Sequence, residues 1–335
     1  MPIARRIILW SCTHGVAALL AIGVSGCVAE ASAPLRVGLN PWPGYEFLYL
    51  AQELGIYREL DLDVRIIELD TLGDVRRSFE RGQIDVMGCT IVEMLQARQG
   101  SPHDPVAVFV PDYSDGGDVI LARDGIQNIP ELVGRRVGAE LGSLNVFVLA
   151  RALETHGLKI TDVEIVPLTQ LQMPDAIKTR QVDAVVTYPP FLFRMEEEGG
   201  VHRVFSTREI PREVLDVIAV DASILTSRSD EVVALIRGLA RAIEATRERP
   251  EECLEIMARR EGITKEQFAD VIKSEIHLVP LEDQMGFLRA GGEIDRAVRA
   301  VDRVLRSVDQ IRGPTRVEKF TSPEPFERAL RAEKN

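Results

Sequence analysis

The sequence predicts an α/β protein of two similar lobes, each a βαβαβ sheet layered with helices. The first observation behind this prediction is a weak internal repeat. Residues 35–40 and residues 135–140 are both short apolar segments, and each is followed by a tight loop and an amphipathic helix. The second observation is that strand and helix patterns continue to alternate in the same order in both halves. Such alternation is typical of parallel sheets covered by helices.

The elements of the two halves correspond one to one. The interval from Gly38 to Asp85 agrees within two residues with the interval from Gly138 to Asp183. In the first half the predicted strands are 35–40, 64–67 and 83–86, and the predicted helices are 45–54 and 75–79. In the second half the predicted strands are 135–140, 163–166 and 181–184; one predicted helix runs from the loop 141–145 to about 156, and the other is 173–177.

Two further apolar segments indicate where the lobes join. Residues 118–123 lead into the second half and residues 215–220 lead out of it, so we expect two chain crossings that form a hinge. Lobe 1 is then expected to comprise residues 35–117 together with 216–335, and lobe 2 residues 118–215.

The chain after residue 220 has helical spacing. Ser227 and Asp230 have the spacing of a capping box, and apolar residues recur every three to four positions up to Ile243. We expect these helices to pack on lobe 1. Further helices are predicted at residues 251–260, 265–273, 283–308 and 325–331.

The N-terminal residues have the features of a secretory signal. Arg5 and Arg6 precede an apolar segment at 7–24, and residues 24–27 resemble a bacterial lipobox that ends at Cys27. We expect residues 1–26 to be removed, Cys27 to be lipidated and to hold the exported protein on the periplasmic or cell-surface face of a membrane, and residues 27–34 to form an anchor or linker. The alternative is an uncleaved membrane helix, since the segment is near the minimum spanning length.

Composition limits the classes of function. The net charge of −12 disfavours binding to nucleic acid. The five histidines and four cysteines show no metal-ligand spacing, so no metal or cofactor is predicted. Cys89 and Cys253 both lie in apolar segments. We favour two buried thiols over a disulfide, although an exported protein permits either.

The predicted carboxyl ends of the strands indicate a binding site, because ligands of open α/β sheets bind there. Ser143 and Asn145 begin a helix whose free N–H groups suit an anion, although Ser143 alone is also a normal helix cap. Thr90 has the corresponding position in the first half. These three residues are predicted to contact the ligand.

Aromatic and acidic residues complete the predicted site. Trp42 is held between two prolines and precedes Gly44, which favours a rigid aromatic wall over simple packing, and Tyr188 lies in a similar loop. Asp115 lies in a glycine-rich turn, where solvation of the turn is the alternative role. Asp216 begins the returning segment. All five are predicted ligand-binding residues.

Several short segments together resemble one family. The segments are residues 39–45, Leu50-Ala51, Leu54-Gly55, residues 132–138, Gly142-Ser143 and residues 182–186. Their order and spacing are similar to those of ABC-transporter substrate-binding proteins of the nitrate/sulfonate/taurine class.

The resemblance implies a two-lobed periplasmic-binding-protein fold with two hinge crossings. Such a protein closes over a small molecule and delivers it to a permease driven by an ATPase. The family's ligands are nitrate, bicarbonate, sulfonates, taurine and aromatic pyrimidines. The five predicted loops at the strand ends are residues 41–45, 89–90, 112–118, 141–145 and 188–190. None of them contains Lys or Arg, so we expect a small organic ligand, zwitterionic or aromatic, with its anionic end on Ser143.

Two alternatives belong to other classes. A pyrimidine synthase of thiamine biosynthesis resembles the same family, but a cysteine-rich motif of that enzyme is not visible here, and we therefore predict that the chain is not an enzyme. A ligand-sensing lipoprotein that acts on a signalling partner is the second alternative.

Overall fold

The computed structural model describes residues 33–333, and the predicted signal and the lipidation site at Cys27 lie outside them. Twelve strands form two five-stranded sheets and one two-stranded ribbon. The strands are β1 (Leu35–Leu39), β2 (Val64–Glu68), β3 (Val86–Thr90), β4 (Pro105–Phe109), β5 (Asp112–Ser114), β6 (Val119–Arg123), β7 (Arg136–Ala139), β8 (Glu164–Pro167), β9 (Ala184–Thr187), β10 (Val201–Ser206), β11 (Asp216–Asp221) and β12 (Ile276–Leu278).

Helices cover both sheets and make up most of the chain beyond β11. They are α1 (Glu46–Glu53), α2 (Ile56–Glu59), α3 (Leu72–Glu80), α4 (Ile91–Ala97), α5 (Leu144–Thr155), α6 (Met173–Lys178), α7 (Phe191–Glu198), α8 (Ala222–Ser227), α9 (Ser229–Glu248), α10 (Pro250–Glu261), α11 (Lys265–Ser274), α12 (Gln284–Leu288), α13 (Glu293–Ser307) and α14 (Glu324–Glu333). Within residues 33–333, no helix is both long and apolar enough to cross a membrane.

The two large sheets have the same internal order, which confirms the predicted repeat. The first sheet runs β2-β1-β3-β11-β4, and the second, counted from its β8 edge, runs β8-β7-β9-β6-β10. In the first, β1 lies parallel between β2 and β3, and in the second β7 lies parallel between β8 and β9. The returning strand β11 and the entering strand β6 are both antiparallel to their neighbours. The two sheets are the α/β lobes that the sequence predicts.

The third strand of each repeat begins later than predicted. The predicted ranges 83–86 and 181–184 are mostly turns, and the strands begin at Val86 and Ala184. Asp85 precedes β3 and accepts the backbone N–H of Arg36 at 2.8 Å, and Asp183 accepts that of Arg136 at 3.0 Å. Each repeated aspartate therefore ties the start of the third strand to the start of the first.

The chain crosses between the sheets twice. It leaves the first sheet after β4, passes through β5 into β6, and returns from β10 to β11. The two crossing segments touch: Tyr113 forms an antiparallel bridge with Leu215, and the N–H of Ser114 donates to the carbonyl of Val214 at 3.0 Å. β12 pairs with β5 beside them. Short paired crossings of this kind form a hinge.

Two predictions for the C-terminal helices are wrong. Ser227 does not cap a helix, because it is the last residue of α8 and its hydroxyl donates back to the carbonyl of Ser223 at 2.8 Å. The predicted helix 283–308 is broken into α12 and α13. Arg289 is extended there and Gly291 has φ +73°, a left-handed conformation that interrupts a helix. α13 packs against α4 and also against α5, which follows β7.

Candidate ligand-binding site

A small buried cavity lies where the strand ends of the two sheets meet. The space inside it that a water molecule can occupy is about 10 Å³. Both sheets contribute to it: Asn40 follows β1, Thr90 ends β3 and Tyr188 follows β9. The other lining residues are Trp42, Tyr45, Leu72, Asp118, Leu144 and Asp216. Because this edge of an open α/β sheet is where ligands bind, the cavity is the candidate site.

Two aromatic side chains form one wall. Trp42 is 4% exposed and Tyr188 1%. Their rings meet edge to face, with centroids 6.0 Å apart and planes at 72°. Trp42 comes from the first lobe and Tyr188 from the second, so this contact closes the cavity between the lobes.

Asp112 and Gly44 together position Trp42. The indole N–H of Trp42 donates to Oδ1 of Asp112 at 3.2 Å. A Cβ atom added at Gly44 would lie 1.8 Å from Oδ2 of Asp112. Gly44 therefore does not line the cavity, and its role is to let the Asp112 carboxyl group approach the backbone.

Asp112 and Asp216 form a coupled acidic pair. Asp216 accepts the hydroxyl of Tyr45 at 2.5 Å. Burial raises the pKa of Asp112 to about 7, while hydrogen bonds with Trp42 and Asp216 oppose the rise. Burial raises the pKa of Asp216 well above its usual range, and the charge of Asp112 adds to the rise. The pair therefore retains a proton near neutral pH.

Asp118 places a carboxyl group with an unused acceptor at the cavity. It is 1% exposed, and its backbone N–H donates to Oγ of Ser114 at 3.0 Å. Among the described residues, its Oδ2 atom has no hydrogen-bond partner. Burial raises the pKa of Asp118 to about 7; a hydrogen bond with Ser114 opposes the rise and the charge of Glu93 adds to it. A buried acceptor of this kind is normally satisfied by a donor.

Glu93 joins the two lobes at the N-terminus of α5. One carboxylate oxygen accepts the hydroxyl of Thr90 at 2.6 Å and the backbone N–H of Thr90 at 3.0 Å. The other accepts the backbone N–H of Leu144 at 2.8 Å. A carboxylate of the protein therefore binds the helix terminus where the sequence predicts the anionic end of a ligand.

Ser143 and Asn145 are buried next to the cavity but do not line it. The Ser143 hydroxyl donates to the carbonyl of Glu140 at 3.1 Å and accepts the N–H of Asn145 at 3.4 Å. Oδ1 of Asn145 accepts from the side chain of Gln170 at 3.0 Å. In this arrangement Ser143 caps α5 and Asn145 orders the loop behind it.

The structure brings four of the eight predicted ligand residues into the cavity wall: Trp42, Thr90, Tyr188 and Asp216. Gly44, Ser143 and Asn145 support that wall from behind. Asp115 is elsewhere: it is partly exposed, and its N–H donates to the carbonyl of Glu275 at 2.9 Å.

The prediction of the site lacked Asn40, Tyr45, Asp118 and Glu93. A signal existed for Glu93, since Thr90 followed three residues later by Glu is a capping-box pattern. A signal also existed for Asp118, which begins a predicted strand. For the other two residues the sequence carried no comparable signal.

The two cysteines of the described region are free and buried, which confirms the prediction of two thiols. Within residues 33–333, no group of three or more His, Cys, Asp and Glu side chains is arranged to hold a metal ion.

The fold and the cavity between its sheets define a class: a two-lobed α/β protein of the periplasmic-binding-protein type. The solved alkanesulfonate-binding protein SsuA from Xanthomonas axonopodis pv. citri, bound to MOPS, has a TM-score of 0.73 over 87% of this chain and 98% of that chain, at 17% identity. The desulfurization enzyme DSZB has a TM-score of 0.65 over 89% and 99%, at 15% identity. At these identities the likeness shows the fold alone.

A family model described as NMT1/THI5 like matches residues 42–253, and the chain belongs to this family. One relative is an Escherichia coli (strain K12) protein that is named as an aliphatic sulfonates-binding protein. It is 25% identical to this chain over 257 residues, which cover 74% of this chain and 78% of that protein. These matches confirm the resemblance inferred from the sequence.

Proposed function

We propose that this protein is an extracytoplasmic solute-binding protein, not an enzyme, that captures a small molecule between its lobes and delivers it to an ABC importer. The observation that supports this function best is the burial of the cavity: all of its lining residues are buried, and they come from both lobes. A solute therefore enters only when the lobes separate about the two crossing segments, and it is enclosed when they close.

Closure provides the transport signal. A ligand favours the closed arrangement only by contacts that it makes with both lobes at once. Trp42 of one lobe and Tyr188 of the other are positioned to make such contacts. A permease that recognises the closed arrangement then accepts loaded protein in preference to unloaded protein. The name of the Escherichia coli relative is in keeping with this role.

The attachment to a membrane belongs to the same proposal. Cys27 ends the lipobox-like segment and about seven residues separate it from β1. Lipid on Cys27 keeps the cleft close to the permease. Intact-mass measurement of the protein from a membrane fraction tests this: the expected mass is that of a chain beginning at Cys27 with added acyl groups. A Cys27→Ser variant that stays in the membrane fraction contradicts it.

The binding function is tested by thermal unfolding in the presence of single solutes. The panel comprises sulfonates, nitrate, bicarbonate, amino acids, pyrimidines and amines. A ligand at 100 times its Kd stabilises a protein by about 2.7 kcal/mol, which is easily measured. The shift is expected to disappear in Trp42→Ala and to persist in Val133→Ala, a change at an exposed residue outside the cavity. No shift with any solute contradicts the proposal.

Delivery to an importer requires a second experiment. Uptake of the solute that binds is measured in cells with and without the gene for this protein. Loss of uptake on deletion, restored by the wild-type gene and not by Trp42→Ala, is the expected result. Normal uptake by deletion cells contradicts delivery and favours a sensing role for the same binding site.

A further inference from the structure

The ionisable groups at the cavity are acidic. Asp118 and Asp216 line it, and Asp112 contacts the lining residue Trp42. Glu93 accepts hydrogen bonds from two more lining residues, Thr90 and Leu144. No lysine or arginine is among the described residues that line the cavity. The site is therefore acidic with nothing in its wall to neutralise it.

Unsatisfied acceptors show what kind of group is needed. Three side-chain atoms of the lining residues are buried and have no hydrogen-bond partner in the described chain: Oδ2 of Asp118, Oδ1 of Asn40 and the hydroxyl of Tyr188. The Tyr188 hydroxyl can donate or accept, whereas Oδ1 of Asn40, and Oδ2 of Asp118 once it is ionised, only accept hydrogen bonds. A ligand that satisfies them must donate, and a charged N–H donor matches the Asp118 carboxylate best.

The aromatic wall fits the same chemistry. Trp42 and Tyr188 lie on the cavity, and the indole N–H of Trp42 is already bonded to Asp112. The ring systems therefore remain for contact with the ligand. Aromatic faces attract organic cations, and Trp does so most strongly.

The position best suited to an anion is already occupied. The N–H of Leu144 at the start of α5 donates to Glu93. A sulfonate or nitrate at this terminus would have to displace a carboxylate of the protein, which would then be buried without its hydrogen bonds. The bound anion would also lie near Asp118, and burial of two like charges without compensation is strongly unfavourable once that carboxyl group is ionised.

We propose that the ligand is a small organic cation, an ammonium or amidinium compound, whose N–H groups bind Asp118 and Asn40 while its carbon skeleton packs on Trp42 and Tyr188. This inference rests on the proposed solute-binding function and names its substrate class. It differs from the zwitterionic or aromatic ligand with an anionic end on Ser143 that the sequence predicts, and from the sulfonates named for the relatives.

Two matched sets of probes test the charge. They are benzylammonium, benzyl alcohol and benzenesulfonate, and propylammonium, propanol and propanesulfonate. Binding of each to the purified protein is measured by calorimetry at pH 8. The cation of each set is expected to bind at least tenfold more tightly than the alcohol and the sulfonate.

Variants test the assigned carboxylate. Asp118→Asn is expected to weaken binding of the cation at least tenfold, while thermal unfolding shows that the variant folds. Asp115→Asn is the matched control, because Asp115 is in the same turn and lies outside the cavity. Equal losses in both variants overturn the assignment.

The outcomes separate this inference from the function on which it rests. Tighter binding of a sulfonate than of its matched cation overturns the inference and leaves solute binding intact. No binding of any of the six probes at millimolar concentration also overturns it, and the wider solute panel then decides whether the protein binds solutes at all.

Discussion

Gly44→Ala tests whether the contact between the backbone and Asp112 positions the aromatic wall. The added Cβ would lie 1.8 Å from Oδ2 of Asp112, 2.7 Å from its Cγ and 2.9 Å from Nε1 of Trp42. Atoms cannot remain at these distances, so the Asp112 carboxyl group must retract from the Trp42 N–H. A hydrogen bond to a charged group contributes about 1.5–3 kcal/mol, and overpacking of a core costs about 1–3 kcal/mol.

We therefore expect Gly44→Ala to lower the free energy of unfolding by about 3 kcal/mol or more. With an unfolding entropy of about 2.1 cal/mol/K per residue over about 300 residues, that corresponds to a fall in Tm of about 5 °C. The displaced Trp42 is also expected to weaken ligand binding at least tenfold. Calorimetric unfolding and a binding isotherm with the solute that gives the largest thermal shift measure the two effects.

Gly286→Ala is the matched control, because a Cβ at that position has no neighbour within 4 Å. Its Tm is expected to remain within about 1 °C of wild type. Trp42→Phe keeps an aromatic ring and removes the N–H donor, so it should reproduce part of the loss. A Gly44→Ala protein with wild-type Tm and wild-type affinity would refute the positioning role of this contact.

Three further changes probe the acidic site. Because burial raises the pKa of Asp118 to about 7, ionisation of this carboxyl group opposes folding as pH rises from about 4 to about 7. The free energy of unfolding of Asp118→Asn should therefore rise relative to wild type across that range, by about 4 kcal/mol above pH 7. A difference in urea unfolding that does not change with pH would exclude this. Glu93→Gln replaces a carboxylate that accepts hydrogen bonds from Thr90 and Leu144 by an amide that has only one acceptor oxygen. It should lower the free energy of unfolding by about 1–3 kcal/mol. Unchanged urea unfolding would count against the contribution of these hydrogen bonds. Ser143→Ala should lower the free energy of unfolding by about 1 kcal/mol, because α5 loses its N-cap. Ligand affinity should change less than threefold. A tenfold loss of affinity would instead show that the Ser143 hydroxyl contacts the ligand.

The two sheets could be predicted because their signals are local. A strand such as β1 is short and mostly apolar, and the loop and helix after it are visible in about ten to fifteen residues. The starts of β3 and β9 were predicted too early for a physical reason. Asp85 and Asp183 read as strand residues in isolation, but each bonds to the first strand of its own repeat and ends a turn.

The site was only partly predictable. Trp42, Thr90, Tyr188 and Asp216 could be proposed because each lies at a predicted strand end, and the structure places all four in the cavity wall. Asp115 and Asp118 lie in the same turn, and no local feature of the sequence separates their roles. The turn between β5 and β6 directs Asp118 to the cavity and leaves Asp115 partly exposed.

The sequence by itself determined the α/β class, the repeat, the two crossings and the set of loops that surround the ligand, because hydrophobic periodicity and loop residues act within a few positions of each other. Only the tertiary structure decided the charge of the site. Glu93 reaches the N–H of Leu144, 51 residues away, and Asp112 bonds to Trp42 across 70 residues. Contacts across such separations depend on how the lobes pack together, and they turn a predicted anion site into an acidic one.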